Sequence, residues 1–265
     1  SEVSLDTEYV ANLPWREDEW QKQLQEAVSD PGALLALLNL DPKCFSEIAN
    51  AAKPFKLRVP RGFIARMRKN DPCDPLLMQV LPIGREVFSP EGYIDDPLGE
   101  KAKNTLPGLL HKYPNRVLLM LAIACPVHCR YCFRREFNYK ENNPNKRERL
   151  EIFDYIRSKS EIDEVILSGG DPLMASDSYL SEYIKNIESI PHVKRLRIHT
   201  RFPVVLPERV TNAFIKALKS RLKTVLVIHV NHPNEIDHRV GIAVQALRNA
   251  EIVLLNQSVL LKGIN

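Results

Sequence analysis

The feature that most limits the fold is an alternation of short apolar runs with amphipathic stretches, which begins at Arg116. The apolar runs are rich in aliphatic and β-branched residues, as in buried strands, and the stretches between them have helical apolar spacing. Strand, helix and strand at this spacing predict βαβ units with right-handed crossovers and a parallel sheet. The predicted strands cover 117–124, 164–170, 193–200, 224–230 and 251–258, and the predicted helices cover 146–158, 176–189, 208–220 and 235–249.

The first 110 residues follow a different pattern. Helical spacing of apolar residues predicts helices at about 18–28, 31–40 and 46–53. Between about 71 and 107, turn signals such as DPCDP and SPEGY interrupt any regular pattern. We therefore expect a helical lid or collar over 1–110 and an α/β barrel-type domain over 111–265.

Polar residues come directly after each predicted strand. Because the carboxyl ends of parallel strands lie at one edge of the sheet, where α/β proteins bind ligands, we expect a site shared by all five strands. The residues at these positions are the cysteines after the first strand, Gly169–Asp171, Thr200 and Arg201, His229 with Asn231 and His232, and Asn256–Ser258.

Three of the chain's five cysteines, Cys125, Cys129 and Cys132, form a C-x3-C-x2-C pattern. A structural zinc ion takes four ligands, usually as two well-separated pairs, and His128 is a sterically awkward fourth ligand beside Cys129. Three thiolates suit a [4Fe–4S] cluster instead, with the fourth iron left open for another ligand. Both assignments stay open from the residues, and Cys44 and Cys73 are interpreted as ordinary thiols.

Composition limits the partners. The net charge of +4 is too small to demand a nucleic acid, and the basic run at 144–149 is typical of a solvated helix face. The longest apolar run, 117–125, is far shorter than the roughly 20 residues that span a bilayer. No secretory signal is recognised at the start of the sequence, so we expect a cytoplasmic protein with reduced cysteines and no membrane partner.

The cysteine pattern with Tyr131 before its last cysteine resembles the signature of radical S-adenosylmethionine enzymes, and SGGDP at 168–172 is similar to that family's glycine-rich segment. The resemblance implies a partial TIM-type (β/α)6 barrel, here seen to about the fifth strand. It also implies that the three cysteines hold the [4Fe–4S] cluster. Tyr131 and Ser168, Gly169, Gly170 and Asp171 would then lie at the S-adenosylmethionine.

Further segments resemble lysine 2,3-aminomutases, including the bacterial branch linked to elongation factor P. These segments are PGLLHKYPNRVLL, CRYCFRREF, ILSGGDPLM, IPHVKRLRIHTRFPVVLPERV, NHPNEI and LNQSVLLKGIN. The resemblance implies an isomerase that moves the α-amino group of L-lysine from C2 to C3, with pyridoxal 5′-phosphate as a further cofactor. It also implies a functional link to elongation factor P and its lysyl-ligase, and an oligomer is compatible with it.

The same resemblance assigns several single residues. His229 and Gln257 would reach polar groups of S-adenosylmethionine, Arg134 would pair with the substrate carboxylate, and Arg116 would contact pyridoxal phosphate. A surface arginine is the alternative for Arg134. Lys112 is left without a role in phosphate binding, and His199 and His232 are interpreted as hydrogen-bonded scaffold.

One expected residue is not found. In the family, the lysine that links to pyridoxal phosphate and the acidic residues that hold the substrate's distal ammonium lie beyond a sixth strand. This sequence ends at Asn265, and Lys262 is not assigned that role, so we expect either a fragment or a shortened protein. Two alternatives stay open, a radical enzyme for another amino acid such as glutamate and a non-enzymatic zinc-binding module.

Overall fold

A seven-stranded sheet with strand order β1-β2-β3-β4-β5-β6-β7 organises the computed structural model. Five strands from β3 onward are parallel, and each pairs with the next along the chain. The sheet is open, with β1 at one edge and β7 at the other. The strands are β1 (Asn104–Leu106), β2 (Leu109–Tyr113), β3 (Arg116–Ala122), β4 (Glu164–Gly169), β5 (Arg195–Thr200), β6 (Lys223–Ile228) and β7 (Val253–Asn256).

The described residues are 9–45, 56–84, 91, 92, 94, 96–135, 137, 138 and 141–265. The helix predicted at 46–53 lies outside them. The α-helices within them are α1 (Glu19–Gln25), α2 (Pro31–Leu37), α3 (Arg61–Ile64), α4 (Lys146–Arg157), α5 (Asp177–Glu188), α6 (Phe202–Val205), α7 (Asn212–Ala217) and α8 (His238–Asn249). None of these helices is both long enough and apolar enough to cross a membrane.

All five predicted strands and the four predicted helices between them are present, so the α/β prediction is confirmed. Side-chain caps fix the starts of these helices, since each cap satisfies backbone N–H groups of the first turn. Asn145 begins α4 with a capping box to Glu148, whereas Ser176 caps α5 and Asp237 caps α8. The helix predicted at 208–220 is shorter, because α7 starts only after its cap Thr211.

The antiparallel hairpin of β1 and β2 was not predicted. It turns at Gly108, whose φ of +80° suits glycine, and it extends the sheet beyond β3. The proposed domain boundary at residue 110 falls inside β2, and the two-domain division stays a prediction.

The two faces of the parallel sheet differ. On one face Leu119, Leu167 and Ile198 are fully buried in the hydrophobic core. The opposite face, here called the concave face, presents rows of side chains because residues paired in register on parallel strands point to the same side. One row contains Arg116, Glu164 and Arg195, and a higher row contains Met120 and Ser168.

The register between β3 and β4 changes near their carboxyl ends. Met120 pairs with Ser168, but Ala122 pairs with Gly169, so β3 contains one extra residue, Leu121. Such a bulge reverses the alternation of side chains beyond it. The cysteines follow directly after this bulge.

The N-terminal helices pack on the helical layer that follows β5. The Trp15 indole N–H donates to the Val210 carbonyl at 2.9 Å, and the Trp20 ring meets the Phe202 ring edge-on with centroids 5.8 Å apart. Both tryptophans belong to the same hydrophobic core as the sheet. The N-terminal region is therefore attached through extensive packing.

Candidate functional site

The three motif cysteines lie in the loop after β3, here called the cysteine loop (residues 123–135). Their thiols are free and partly buried. Residues 56–79 support the loop backbone: His128 N–H donates to the Arg58 carbonyl at 3.0 Å, and Arg130 N–H donates to the Gln79 carbonyl at 2.9 Å. The Arg130 guanidinium adds a bond to the Met78 carbonyl at 2.7 Å. These hydrogen bonds hold the loop between the sheet and residues 56–79.

Gly169 and Gly170 bring the end of β4 against this loop. A Cβ atom on Gly169 would lie 2.4 Å from the Ala122 carbonyl oxygen, and one on Gly170 would lie 2.4 Å from the Ala124 carbonyl oxygen. Gly170 N–H also donates to the Ala122 carbonyl at 2.7 Å. Because neither glycine has a Cβ, the backbone of the cysteine loop can approach the end of β4 this closely.

Burial affects the protonation of Cys125 and Cys132. Desolvation raises the pKa of Cys125 well above the ordinary thiol value, and the charges of Asp171 and Cys129 raise it further. Burial likewise raises the pKa of Cys132. Because metal ligation needs thiolates, loading of this loop would release protons. Among the described residues, no three His, Cys, Asp or Glu side chains, the motif thiols included, are grouped as the ligands of one metal ion.

Asp171 is buried at the carboxyl ends of β4 and β5. Its carboxylate accepts hydrogen bonds from the Thr200 hydroxyl at 2.7 Å, Arg201 N–H at 2.8 Å and Leu173 N–H at 3.0 Å. Burial raises its pKa, and these hydrogen bonds oppose the shift. The carboxylate therefore ties the end of β4 to the end of β5.

Arg134 is only 7% exposed, so it is not a surface arginine. Its Nη1 donates to Ser168 Oγ at 2.8 Å, which places the guanidinium over the concave face. Its Nε and Nη2 donate to the two carboxylate oxygens of Glu100 at 2.8 and 2.7 Å. This two-bond fork is the geometry with which an arginine binds a carboxylate.

Two histidines and a glutamine complete the upper row of the concave face. The rings of His199 and His229 have centroids 6.3 Å apart, and the His199 side chain is hydrogen-bonded to Gln257. Burial lowers the pKa of His229 to about 4, and the charges of Arg201 and Arg134 act in the same direction. Its Nε2 is buried without a hydrogen-bond partner. His229 is therefore a neutral ring with one polar atom available to a ligand.

The remaining residues singled out from the sequence make hydrogen bonds within the protein. The Tyr131 hydroxyl, in the cysteine loop, accepts from Asn231 Nδ2 at 2.7 Å. His199 Nε2 lies 3.0 Å from Arg197 Nη2, and His232 Nδ1 accepts from Asn234 N–H at 3.1 Å. Both histidines are hydrogen-bonded scaffold, as expected from the sequence.

Comparison with known proteins identifies the family. The model of the Radical SAM superfamily matches residues 121–252, from the end of β3 almost to β7. An L-lysine 2,3-aminomutase from Haemophilus influenzae is 52% identical over 250 residues, which cover 94% of this chain and 74% of that protein. The chain belongs to the lysine 2,3-aminomutase family.

Other members of the family are also similar to this chain. The L-lysine 2,3-aminomutase of Escherichia coli is 49% identical over 256 residues, covering 96% of this chain and 74% of the relative. The protein of the same name from Clostridium subterminale is 35% identical over 257 residues, covering 97% and 61%. Membership of the lysine 2,3-aminomutase family implies a [4Fe–4S] cluster, S-adenosylmethionine and pyridoxal phosphate.

The residues of this lysine 2,3-aminomutase family member suit the first two cofactors. Three thiols on one short, seated loop are the donor set of a cluster with an open iron. The Nε2 of His229 is buried without a hydrogen-bond partner, and the Ser168 hydroxyl accepts from Arg134, which follows the last motif cysteine. A polar ligand with several hydrogen-bonding groups fits there.

Arg116 lies away from this cluster. It begins β3 on the concave face, about 13 Å along the strand from the Met120 row at 3.3 Å per residue, with its guanidinium 4.2 Å from the centre of the Tyr113 ring. Arg195 and Arg197 lie on the same face and donate to Glu164 at 3.0 and 3.2 Å. Arg195 Nη2 also lies 3.5 Å from Asp163 Oδ1, so Asp163 and Glu164 balance part of the positive charge of these arginines.

Sequence reasoning missed the partners that fix the functional side chains. Glu100, the partner of Arg134, belongs to no sequence motif. Arg201, the partner of Cys129, was notable in the sequence only because it follows a predicted strand. The Arg134–Glu100 and Arg201–Glu235 contacts join residues more than 30 positions apart, so no local pattern could reveal them. The available signal was the position of an arginine directly after a predicted strand.

Proposed function

We propose that this chain carries the radical site of an aminomutase that moves the α-amino group of L-lysine from C2 to C3, giving β-lysine. The single observation that carries the proposal is the gathering of the cysteine loop, the Gly169–Gly170 turn and His229 at one end of the sheet, in a chain half identical to an L-lysine 2,3-aminomutase.

In this proposal, Cys125, Cys129 and Cys132 hold the cluster. Ser168 and His229 offer polar atoms to S-adenosylmethionine from the concave face, and Gln257 approaches from β7 through its contact with His199. Gly169 and Gly170 allow the cysteine loop to pack closely against the end of β4. The Asp171 carboxylate accepts hydrogen bonds from three donors of the protein, so its role is to hold the site together. Tyr131 connects the loop to Asn231, which follows β6, through its hydroxyl.

The chemistry needs the cofactors because no side-chain acid or base removes hydrogen from an unactivated C3 near neutral pH. The bound cofactors supply the radical and the link to the migrating nitrogen. The chain orients the substrate, and Arg134 is the proposed anchor for its carboxylate, since it lies on the concave face beside Ser168. Positive charge for a phosphate group comes from the same face, nearer the amino ends of the strands, where Arg116, Arg195 and Arg197 lie.

The test uses the full-length gene product, reconstituted anaerobically with iron, sulfide, S-adenosylmethionine and pyridoxal phosphate. We expect conversion of (S)-α-lysine to β-lysine, followed by chromatography, with glutamate as the competing substrate. A loaded, brown protein that converts glutamate but not lysine would overturn the substrate assignment, and a colourless zinc protein would overturn the whole proposal.

The cellular role is a finer part of the same proposal. The resemblance to the elongation factor P branch supports a cytoplasmic enzyme whose β-lysine serves a lysyl-ligase. Mass spectrometry of elongation factor P from cells with and without the gene tests this role. Loss of a β-lysyl mass increment on gene deletion is expected, and an unchanged mass would contradict the link.

A further inference from the structure

Arg201 is a buried arginine directly after β5, and it contacts the cysteine loop. It is 5% exposed, and its Nη1 donates to the Cys129 sulfur at 2.7 Å. The Arg201 guanidinium also lies over the Tyr131 ring, 5.5 Å from the ring centre. Among the described residues, Cys129 is thus the motif cysteine that accepts from a charged donor outside the cysteine loop.

The other side of the guanidinium is held by two distant residues. Arg201 Nη2 donates to Gln79 Oε1 at 2.7 Å and to Glu235 Oε2 at 3.1 Å. Gln79 Nε2 in turn donates to Glu235 Oε1 at 2.9 Å, so the two acceptors hold each other. This network fixes the guanidinium plane and leaves Nη1 directed at the sulfur.

Glu235 is fully buried and balances the charge of Arg201. A buried ion pair of this kind is costly to form, and an apolar pair of the same volume would stabilise the fold equally well. In this structure the pair holds a charged donor against a sulfur of the cysteine loop. Hydrogen bonds to ligating sulfur are one of the factors that set the reduction potential of an iron–sulfur cluster.

We infer that Arg201 is a positioning residue that holds the Cys129 sulfur and makes the bound cluster easier to reduce. The inference rests on the proposed function, because it requires a cluster on the cysteine loop. A donor to a thiolate stabilises the more negative, reduced state of the cluster more than the oxidised state. One electron enters from an external low-potential reductant, and no bond of Arg201 is made or broken.

The experiment compares Arg201→Lys and Arg201→Gln with the wild-type full-length protein after anaerobic reconstitution. The readout is the midpoint potential from a dithionite titration followed by electron paramagnetic resonance, together with iron content. We expect a more negative potential, with the reduced-to-oxidised ratio at a fixed applied potential lowered on the order of tenfold, which is about 59 mV for one electron. The lysine variant should shift less than the glutamine variant.

Arg209→Lys is the matched control, because Arg209 is fully buried and donates to the Leu173 carbonyl at 2.8 Å without a described contact to a cysteine. It should leave the potential unchanged even if stability falls. Equal shifts in the control and the Arg201 variants, or no shift in the Arg201 variants, would overturn the inference.

If neither Arg201 variant folds, Gln79→Met decides, since it removes one anchor and keeps the guanidinium. We expect a smaller shift in the same direction, and an unchanged potential would overturn the inference. A wild-type protein that binds no cluster would instead overturn the proposed function, so the two failures are distinguishable.

Discussion

The carboxylate of Glu100 closes a two-bond salt bridge on the guanidinium of Arg134, with N–O distances of 2.8 and 2.7 Å. Glu100 precedes β1, and Arg134 follows the last motif cysteine. An internal carboxylate therefore occupies the fork that we propose for the carboxylate of the substrate. Binding of lysine would exchange one carboxylate for the other at the same two nitrogen atoms.

We expect Arg134→Lys to weaken substrate binding, because an ammonium keeps the charge but loses the planar fork. Loss of one charge-assisted hydrogen bond is worth roughly 1.5–3 kcal/mol, so KM for L-lysine should rise about tenfold to a hundredfold. Steady-state kinetics of the full-length enzyme would measure this, with iron content as the control for an intact cluster. Unchanged kinetics would remove Arg134 from the substrate site.

Glu100→Gln should have the opposite effect on KM. The apparent affinity of a site falls with the fraction of molecules in which the site is open, and the variant no longer fills the fork with a charge. We expect KM to fall roughly threefold to tenfold. Glu91→Gln changes an exposed carboxylate in the same part of the chain and should leave KM unchanged. A raised KM in Glu100→Gln would mean that Glu100 supports Arg134 and does not compete with the substrate.

Replacement of Cys125, Cys129 or Cys132 by alanine should abolish most of the cluster, since we propose that each thiolate ligates one iron. Anaerobic reconstitution should give about four irons per chain in the wild type and a small fraction of that in each variant. Cys73→Ala is the control, because Cys73 is exposed and outside the cysteine loop. A requirement for Cys73 would contradict the assignment of three ligands and an open iron.

Gly170→Ala should destabilise the protein and displace the cysteine loop. The added Cβ would lie 2.4 Å from the Ala124 carbonyl oxygen, and backbone cannot move aside as a side chain can. Overpacking costs roughly 1–3 kcal/mol, which denaturant unfolding would detect. Iron content should fall as well.

Gly241→Ala is the matched control, since a Cβ there meets nothing within 4 Å and Gly241 lies in α8. In a helix interior, alanine is favoured over glycine by up to about 1 kcal/mol, so this variant should be slightly more stable. Equal losses in both variants would show that the contact with the loop is unimportant.

The folded protein should lose stability as the pH falls from about 6.5 to about 4, in part because of His229. Burial lowers its folded-state pKa to about 4, whereas an unfolded histidine titrates near 6.5. Within this window the unfolded state binds a proton that the folded state excludes, so the free energy of unfolding falls by at most about 3 kcal/mol. Above pH 6.5 this contribution does not change.

Unfolding of wild type and His229→Gln at pH 7.5 and pH 5 tests that expectation. The difference in stability between the two proteins should shrink or reverse at pH 5, because glutamine does not titrate. A difference that is the same at both pH values would show that His229 is protonated alike in the folded and unfolded states.

Much of the parallel sheet could be predicted because its strands are continuous apolar runs and its helices have regular amphipathic spacing. The predicted run 164–170, for example, matches β4 within one residue. The β1–β2 hairpin could not be predicted, since its strands are short and lie among proline and glycine turn signals. Its pairing depends on a sheet edge that only the folded chain provides.

The candidate site was predictable in its residue types but not in its contacts. The spacing of the cysteines and the glycine turn are local features of the sequence. By contrast, the position of the cysteine loop depends on backbone hydrogen bonds to Arg58 and Gln79, about 50 or more positions earlier in the chain. A sequence pattern of period two or 3.6 contains no information about such contacts.

Because Leu121 is an extra residue in β3, the direction of the cysteine loop depends on the length of the strand as well as on the residues of the loop. Deleting it would leave all three thiols in the chain, and Ala122 would follow Met120 in regular alternation, still opposite Gly169. The strand would however lose the local bend and added twist that a bulge gives. The cysteine loop would then leave the sheet at a different angle, with its cysteines chemically intact but differently directed.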